Sequence, residues 1–330
     1  MQTPVFLDHL PDASSVSGRK SERYRHIRNK ALIELLMDED VAWVDRDCPA
    51  CGAPATESQT FGQVFMPFQR CSGCNTIYAR RVPDQPVLDQ LRAAHPAARS
   101  EGATEDEDSQ AREFEFISIL NWISLSDGRG DRRLRKVLDY RYSSHAPDWE
   151  TAVGRLSKSR SWQFLPLDAD AAGEDFADLA VALKADTPDV VLIQAEMDRV
   201  AHPEKLLATI KANAPKGTLV FIASSCADGL EYELLGAGAP SFIPLDRLAV
   251  FSIAGLRSMA ERLGYTVREV STPGRRDAVI LDQHFRQAAN TNVPFWSGFF
   301  RDADRNRLYD LQILLQRSLR SGLLRFVIET

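Results

Sequence analysis

The chain has 330 residues, 44% of them hydrophobic, which is enough for one large or two modest domains and too apolar for a disordered chain. Lys and Arg number 40 against 46 Asp and Glu, and the net charge of −6 removes the long-range attraction on which a nonspecific nucleic-acid binder relies. No run approaches the ~18 apolar residues that cross a bilayer, and the first residues, with Asp8 and Pro11, lack the charged-then-apolar pattern of an export signal; a soluble, cytoplasmic protein without membrane attachment is expected.

Residues 21–37 carry Tyr24, Ile27, Leu32, Leu35 and Leu36 at an approximate helical period, so 1–46 reads as a helical segment ending near the acidic run Asp38-Glu39-Asp40. Two C-x2-C pairs follow, Cys48 with Cys51 and Cys71 with Cys74, separated by nineteen residues. This spacing matches a four-thiolate zinc ribbon over 47–83, each pair sitting in a Gly-containing turn that lets its sulfurs converge on one tetrahedral ion. Two disulfides or a redox pair are the alternatives; a reducing cytosol disfavours the first, and no redox-domain pattern surrounds the pairs. Four thiolates leave no open coordination position, so the ion would hold a fold. Phe61, Val64, Phe65 and Phe68 suit a small hairpin packed around the knuckles, and the interval has too few basic residues for nucleic acid. Cys226 reads as a buried small hydrophobe.

Residues 84–110 read as a charged connection with one short helix near 86–94. From 111 onward, helices are predicted at 112–125, 148–158, 174–185, 203–213, 253–263 and 303–319, and strands at 135–142, 162–167, 189–195, 217–223, 265–271, 277–282 and 323–328. Such alternation predicts an α/β fold, a mainly parallel sheet covered by helices on both faces. Gly236-Ala237-Gly238 follows a helical rather than a strand pattern and reads as a loop, and no intact Gly-x-Gly-x-x-Gly, P-loop or nucleophile elbow is present.

Several segments, in order, resemble one family. The ribbon followed by Ile77-Tyr78-Ala79-Arg80-Arg81-Val82-Pro83, then Asp189-Val190-Val191-Leu192-Ile193, Val200-Ala201-His202-Pro203 and Ala214-Pro215-Lys216-Gly217-Thr218-Leu219, are similar to bacterial class I S-adenosylmethionine-dependent methyltransferases that carry an amino-terminal zinc ribbon. Val250-Phe251-Ser252, Leu263-Gly264-Tyr265-Thr266-Val267 and the stretch 271–277 resemble that family's last helix and strands. The resemblance implies a Rossmann-like methyltransferase domain over 111–330, with S-adenosylmethionine beside the first strand.

The departures fall where that cofactor would lie. The family's first strand ends in Val-Leu-Asp-x-Gly-x-Gly-x-Gly, because the cofactor must lie against bare backbone. Here Val137-Leu138-Asp139 is followed by Arg141, Ser143 and His145 at the glycine positions. Where the resemblance implies a Glu-His pair and a later Pro-x-x-His, the chain has Asp198-Arg199 and Pro244-Leu245-Asp246-Arg247, and an arginine cannot act as general base.

Two functions are therefore carried forward. The first is a non-catalytic or strongly diverged methyltransferase-like protein that binds a protein partner or an anionic small molecule, with Arg141, Arg199 and Arg247 as candidate anion contacts. The alternative is an active methyltransferase on a small-molecule or saccharide-type acceptor. It would set Asp139, Arg141, Ser143 and His145 at the cofactor, Asp168 or Asp170 at the ribose, and Glu196 and Asp198 toward the substrate, with Asp198 and His202 the catalytic candidates. His202, just before Pro203 at a helix start, also reads simply as a capping or surface residue.

Overall fold

The structure, a computed structural model, describes residues 18–62, 66–84, 86–88, 117–126, 135–141, 162–168, 176–194, 197–239, 241–244, 247–274, 276–287 and 293–330. The predicted helix at 148–158, Val64 and Phe65 lie outside them. The chain forms two compact units that do not follow chain order. One gathers Met1–Val82, Ser224–Ser258 and Val270–Arg325; the other gathers Pro83–Ala223, Met259–Glu269 and Phe326–Thr330.

The first unit begins with α1 (Gly18–Met37), which buries Ala31, Leu32 and Leu35. Strand β1 (Trp43–Asp45) enters the ribbon, where β2 (Gln59–Thr60), β3 (Phe68–Arg70) and β4 (Ile77–Ala79) pair antiparallel; β5 (Arg81–Pro83) returns to pair with β1. Phe61 and Phe68 share one neighbour. Both pack edge-on against Phe242, with ring centroids 5.4 and 4.7 Å away.

The larger sheet has six strands. They are β6 (Arg135–Arg141), β7 (Trp162–Asp168), β8 (Val190–Gln194), β9 (Leu219–Ser225), β11 (Thr266–Ser271) and β12 (Leu323–Glu329), in the order β11-β12-β9-β8-β6-β7. β7, β6, β8 and β9 run parallel, as the crossovers through α3 (Ala177–Asp186) and α4 (Pro203–Asn213) require. Among the described residues the sheet ends at β7, and Pro166 in the middle of that strand fits an edge, where a residue without an N–H can turn that side away from the paired strand. A helix over 117–126, α2, lays Ile119, Leu120, Trp122 and Ile123 on Val137, Val190, Leu192 and Phe221; Trp122 meets Phe221 edge-on at 4.8 Å. In β8 and β9, Val190–Ile193 and Leu219–Ile222 are apolar and buried on both faces, as a doubly covered parallel sheet demands.

After β9 the chain re-enters the first unit through α5 (Leu230–Leu235) and a 3-10 turn at Gly236–Gly238, then forms β10 (Ala249–Val250) and the start of α6 (Ile253–Arg262). The predicted strand at 277–282 is not a strand. Asp277–Gln287 is a helix, α7, followed by α8 (Pro294–Asp302), which no periodicity had indicated, and α9 (Arg305–Arg317). The run Ala278-Val279-Ile280-Leu281 is too short for its period to separate helix from strand, and its β-branched residues favoured the strand. In the structure Ala278, Val279 and Leu281 are buried with Phe300, Leu308, Leu311 and Leu315, and the strand beside β9 is supplied by Leu323–Glu329.

Asp277 anchors this helical group. Its carboxylate accepts from Gln312 Nε2 at 2.8 Å, from Ser321 Oγ and from the Gly322 amide, while Gln312 Oε1 accepts from the Ala278 amide at 2.9 Å. Gln312 and Gln316 both donate to the Gly274 carbonyl. A Cβ at Gly274 would collide with Ser321 Oγ and Asp277 Oδ2, so only glycine fits the turn. Since Asp277 is 4% exposed, its removal strands buried donors. Asp277→Ala is expected to cost about 2–5 kcal/mol in equilibrium denaturant unfolding; a loss below about 1 kcal/mol would show the network to be dispensable.

Candidate metal centre and the end of the sheet's first strand

Each C-x2-C knuckle is closed by backbone hydrogen bonds: Gly52 N donates to Cys48 O at 2.9 Å, and Asn75 N to Cys71 O at 2.8 Å. The residue after each pair is left-handed, Gly52 with φ 76° and Asn75 with φ 65°. Glycine has no Cβ penalty there, and asparagine tolerates that region better than most residues. In the second knuckle the left-handed position is therefore Asn75 rather than Gly73.

These turns bring the four sulfurs within 4.8 Å of one another, Cys48 Sγ to Cys74 Sγ at 3.6 Å and Cys51 Sγ to Cys71 Sγ at 3.5 Å. A disulfide would hold two sulfurs at about 2.05 Å. Thiolates bound at about 2.3 Å around a tetrahedral ion stand about 3.8 Å apart. The geometry and the all-thiolate donor set fit a metal ion. Cys48, Cys71 and Cys74 are buried and Cys51 is partly exposed. A hydrogen bond from Cys48 holds the Cys74 thiol down to about 5, and Cys48, sharing that proton and buried, is pushed above the usual thiol range. Cys74 Sγ also accepts from the hydroxyl and amide of Thr76. Cys226 stands apart, fully buried, with burial pushing its thiol up to about 12, so it stays protonated at neutral pH.

At the end of β6 the alternation of a strand sets the side chains of Asp139 and Arg141 on one face and Leu138 and Tyr140 on the other. Asp139 is fully buried, and a carboxylate there requires a cation. Arg141 supplies it: the two form a direct ion pair, with side-chain exposures of 0% and 7%. In the parallel ladder Arg141 stands opposite Asp168, and Asp139 lies between Pro166 and Leu192. Ser143, His145 and Asp170 lie outside the described residues, as does Glu196, and Asp168 is described by its backbone alone.

The remaining candidates separate. Asp198 is fully buried and Arg199 is 8% exposed, in the turn after β8. His202 is exposed at the N-cap of α4 without a side-chain capping bond, ahead of Pro203 in the first helical turn. Arg247 belongs to the other unit, where its Nε donates to the Ser241 carbonyl at 3.2 Å. The Ser241 amide and hydroxyl in turn donate to Glu231 Oε1 at 3.0 and 2.8 Å. The sequence reading missed Glu231, because an acid in Leu230-Glu231-Tyr232-Glu233 looks like an ordinary solvated helix position. Burial pushes its carboxyl up to about 7, against the opposing hydrogen bonds from Ser241 and the charge of Arg247.

No family model matches the chain, and no curated protein matches it. Among solved structures it is similar to mycolic acid cyclopropane synthase in complex with SAH, at 14% identity and TM-score 0.35 over 64% of this chain and 84% of that one. It is also similar to the plantazolicin methyltransferase in complex with SAH, at 14% identity and TM-score 0.38 over 74% and 97%. A third similarity is to the Haemonchus contortus phosphoethanolamine N-methyltransferase 2 in complex with S-adenosyl-L-methionine, at 13% identity and TM-score 0.40 over 77% and 62%. Likenesses this distant say nothing of activity. The chain's own larger sheet is six-stranded and mostly parallel, and the four cysteines lie in a separate small sheet.

Glu231 sets a pH dependence. Its folded-state value near 7 lies above the ordinary 4.5, so between those values the folded state binds more protons than the unfolded one. Stability is expected to fall as pH rises from about 4.5 to 7 and to level off above, and Glu231→Gln is expected to abolish that slope. Unfolding midpoints measured from pH 5 to 8 check this; an unchanged slope in the variant would assign it to another group.

Proposed function

We propose that this chain is a zinc-holding, methyltransferase-like protein that works as a binding or scaffold protein rather than as a catalyst. The observation that carries the reading is the buried Asp139–Arg141 pair. The end of the first strand of the methyltransferase sheet is where S-adenosylmethionine needs bare backbone and an unencumbered acidic residue. In this chain the first glycine position holds a buried guanidinium, bonded to that acidic residue. The residues present do not fit the cofactor. The second reading, an active enzyme on a small-molecule or saccharide-type acceptor, draws support only from the retained strand order and from Asp139 itself.

Zinc is assigned to Cys48, Cys51, Cys71 and Cys74 because an all-sulfur tetrahedral set suits that ion, and four protein ligands make it a structural one. Arg141 and Arg199 are buried and Arg247 is bonded to Ser241, which leaves little of them for an outside anion. The ribbon holds a cleft of about 370 Å³ in which the exposed Arg80 and Arg81 lie 3.9 and 3.4 Å from Asp45, which also lines it, so those charges are likewise engaged within the chain.

Isothermal calorimetry of the full chain with S-adenosylmethionine is expected to show no binding tighter than about 1 mM, equivalent to about −4 kcal/mol; micromolar affinity overturns the non-catalytic reading. Arg141→Met, which removes the guanidinium paired with the buried Asp139, is expected to cost about 3–5 kcal/mol in denaturant unfolding. A loss below about 1 kcal/mol would mean that the pair does not close the strand end.

A further inference from the structure

The four-cysteine centre is bound to a segment far along the chain. Ser252 N donates to Thr76 Oγ1 at 3.3 Å across 176 residues, and the two hydroxyls lie 3.2 Å apart. Ser252 Oγ donates to the carbonyl of the ligand Cys74 and accepts from the Gly255 amide at 2.8 Å, the bond of an N-cap at the start of α6. One hydroxyl therefore caps a helix and holds a metal knuckle.

On the other side of the centre, Arg46, two residues before Cys48, donates from Nη2 to the Leu248 carbonyl at 2.7 Å and from Nε to the Ala79 carbonyl at 2.8 Å. Ala79 N also donates to Leu248 O at 2.9 Å, and β10 continues the ribbon sheet beside β4, with Ala249 opposite Tyr78 and Val250 opposite Ile77. Thr76 and every residue from Leu248 to Ser252 are buried. A Cβ on Gly255 would strike Thr76 Oγ1 and come within 2.9 Å of Ala50 in the first knuckle, so the helix start and the ribbon approach as closely as glycine allows. If the knuckles open, the buried polar groups of 248–255 lose the donors and acceptors that satisfy them.

We propose that metal occupancy of the four-cysteine centre controls the order of Leu248–Gly255, with Ser252 and Arg46 as the positioning residues that couple the two. The inference rests on the metal assignment to Cys48, Cys51, Cys71 and Cys74. The free energy of binding a structural ion is folding free energy for whatever the ion organises, and here that extends beyond 47–83. Ser252 acts on the ligand loop from outside the coordination sphere, where losing a partner typically weakens metal binding 10–100-fold.

The test is amide hydrogen exchange on the full chain, with zinc content measured first, then with zinc bound, after its removal by EDTA, and after zinc is returned. Peptides covering 71–79 and 248–256 are expected to lose protection together, at least about tenfold, and to regain it together, while α4 at 203–213 keeps its protection. Exposure of 71–79 with 248–256 unchanged overturns the coupling, as does equal loss in α4. A chain that takes up no zinc overturns the metal assignment and the coupling with it. In chelator competition, Ser252→Ala is expected to weaken zinc binding about tenfold or more, whereas Arg257→Ala, on the exposed face of the same helix, leaves it unchanged. Equal zinc affinity in Ser252→Ala and the parent chain overturns the role of Ser252.

Discussion

A carboxylate inside a parallel sheet must find a cation or give up its charge, and at Asp139 the strand's own alternation brings Arg141 to the same face two residues on. The pairing ties the end of β6 to itself. An ion pair of this kind adds little net stability compared with an apolar pair of the same shape, yet either partner alone is costly.

Much of this was legible. All six strands of the larger sheet were anticipated to within one or two residues, because stretches such as Val137-Leu138, Val190–Ile193 and Leu219–Ile222 are apolar runs bounded by turn residues. The four cysteines were legible for a different reason: metal geometry constrains spacing directly, and no tertiary information is needed to see that four thiols converge. The helix at Asp277–Gln287 was misread as a strand because the determinant is not in its own run. Asp277 is held by Gln312, Ser321 and Gly322, partners 35 to 45 residues away. Glu231 was invisible for the same reason, since its burial depends on Ser241 and on a chain reversal that no local pattern announces.

The division into compact units carries the same lesson at larger scale. Sequence order suggests a ribbon, a connection and a sheet domain, each a continuous stretch. In the structure the ribbon shares its unit with Ser224–Ser258, which gives it a fourth strand, and with the helices after Val270. Two-residue β10 has almost no strand signature. What makes it a strand is β4 beside it, whose Ile77, Tyr78 and Ala79 are all buried and need both a ladder partner and a cover.

That strand pairing has a temporal side. Cys74 leaves the ribosome 178 residues before Ser252, the residue whose hydroxyl reaches its carbonyl. At a synthesis rate of about 5–20 residues per second this is a wait of roughly 10–35 s. Through that interval the nascent knuckles lack the hydrogen bond that Ser252 gives to the Cys74 carbonyl. The growing polypeptide thus inherits a kinetic vulnerability from its architecture, one that early capture of the ion by the thiols would shorten.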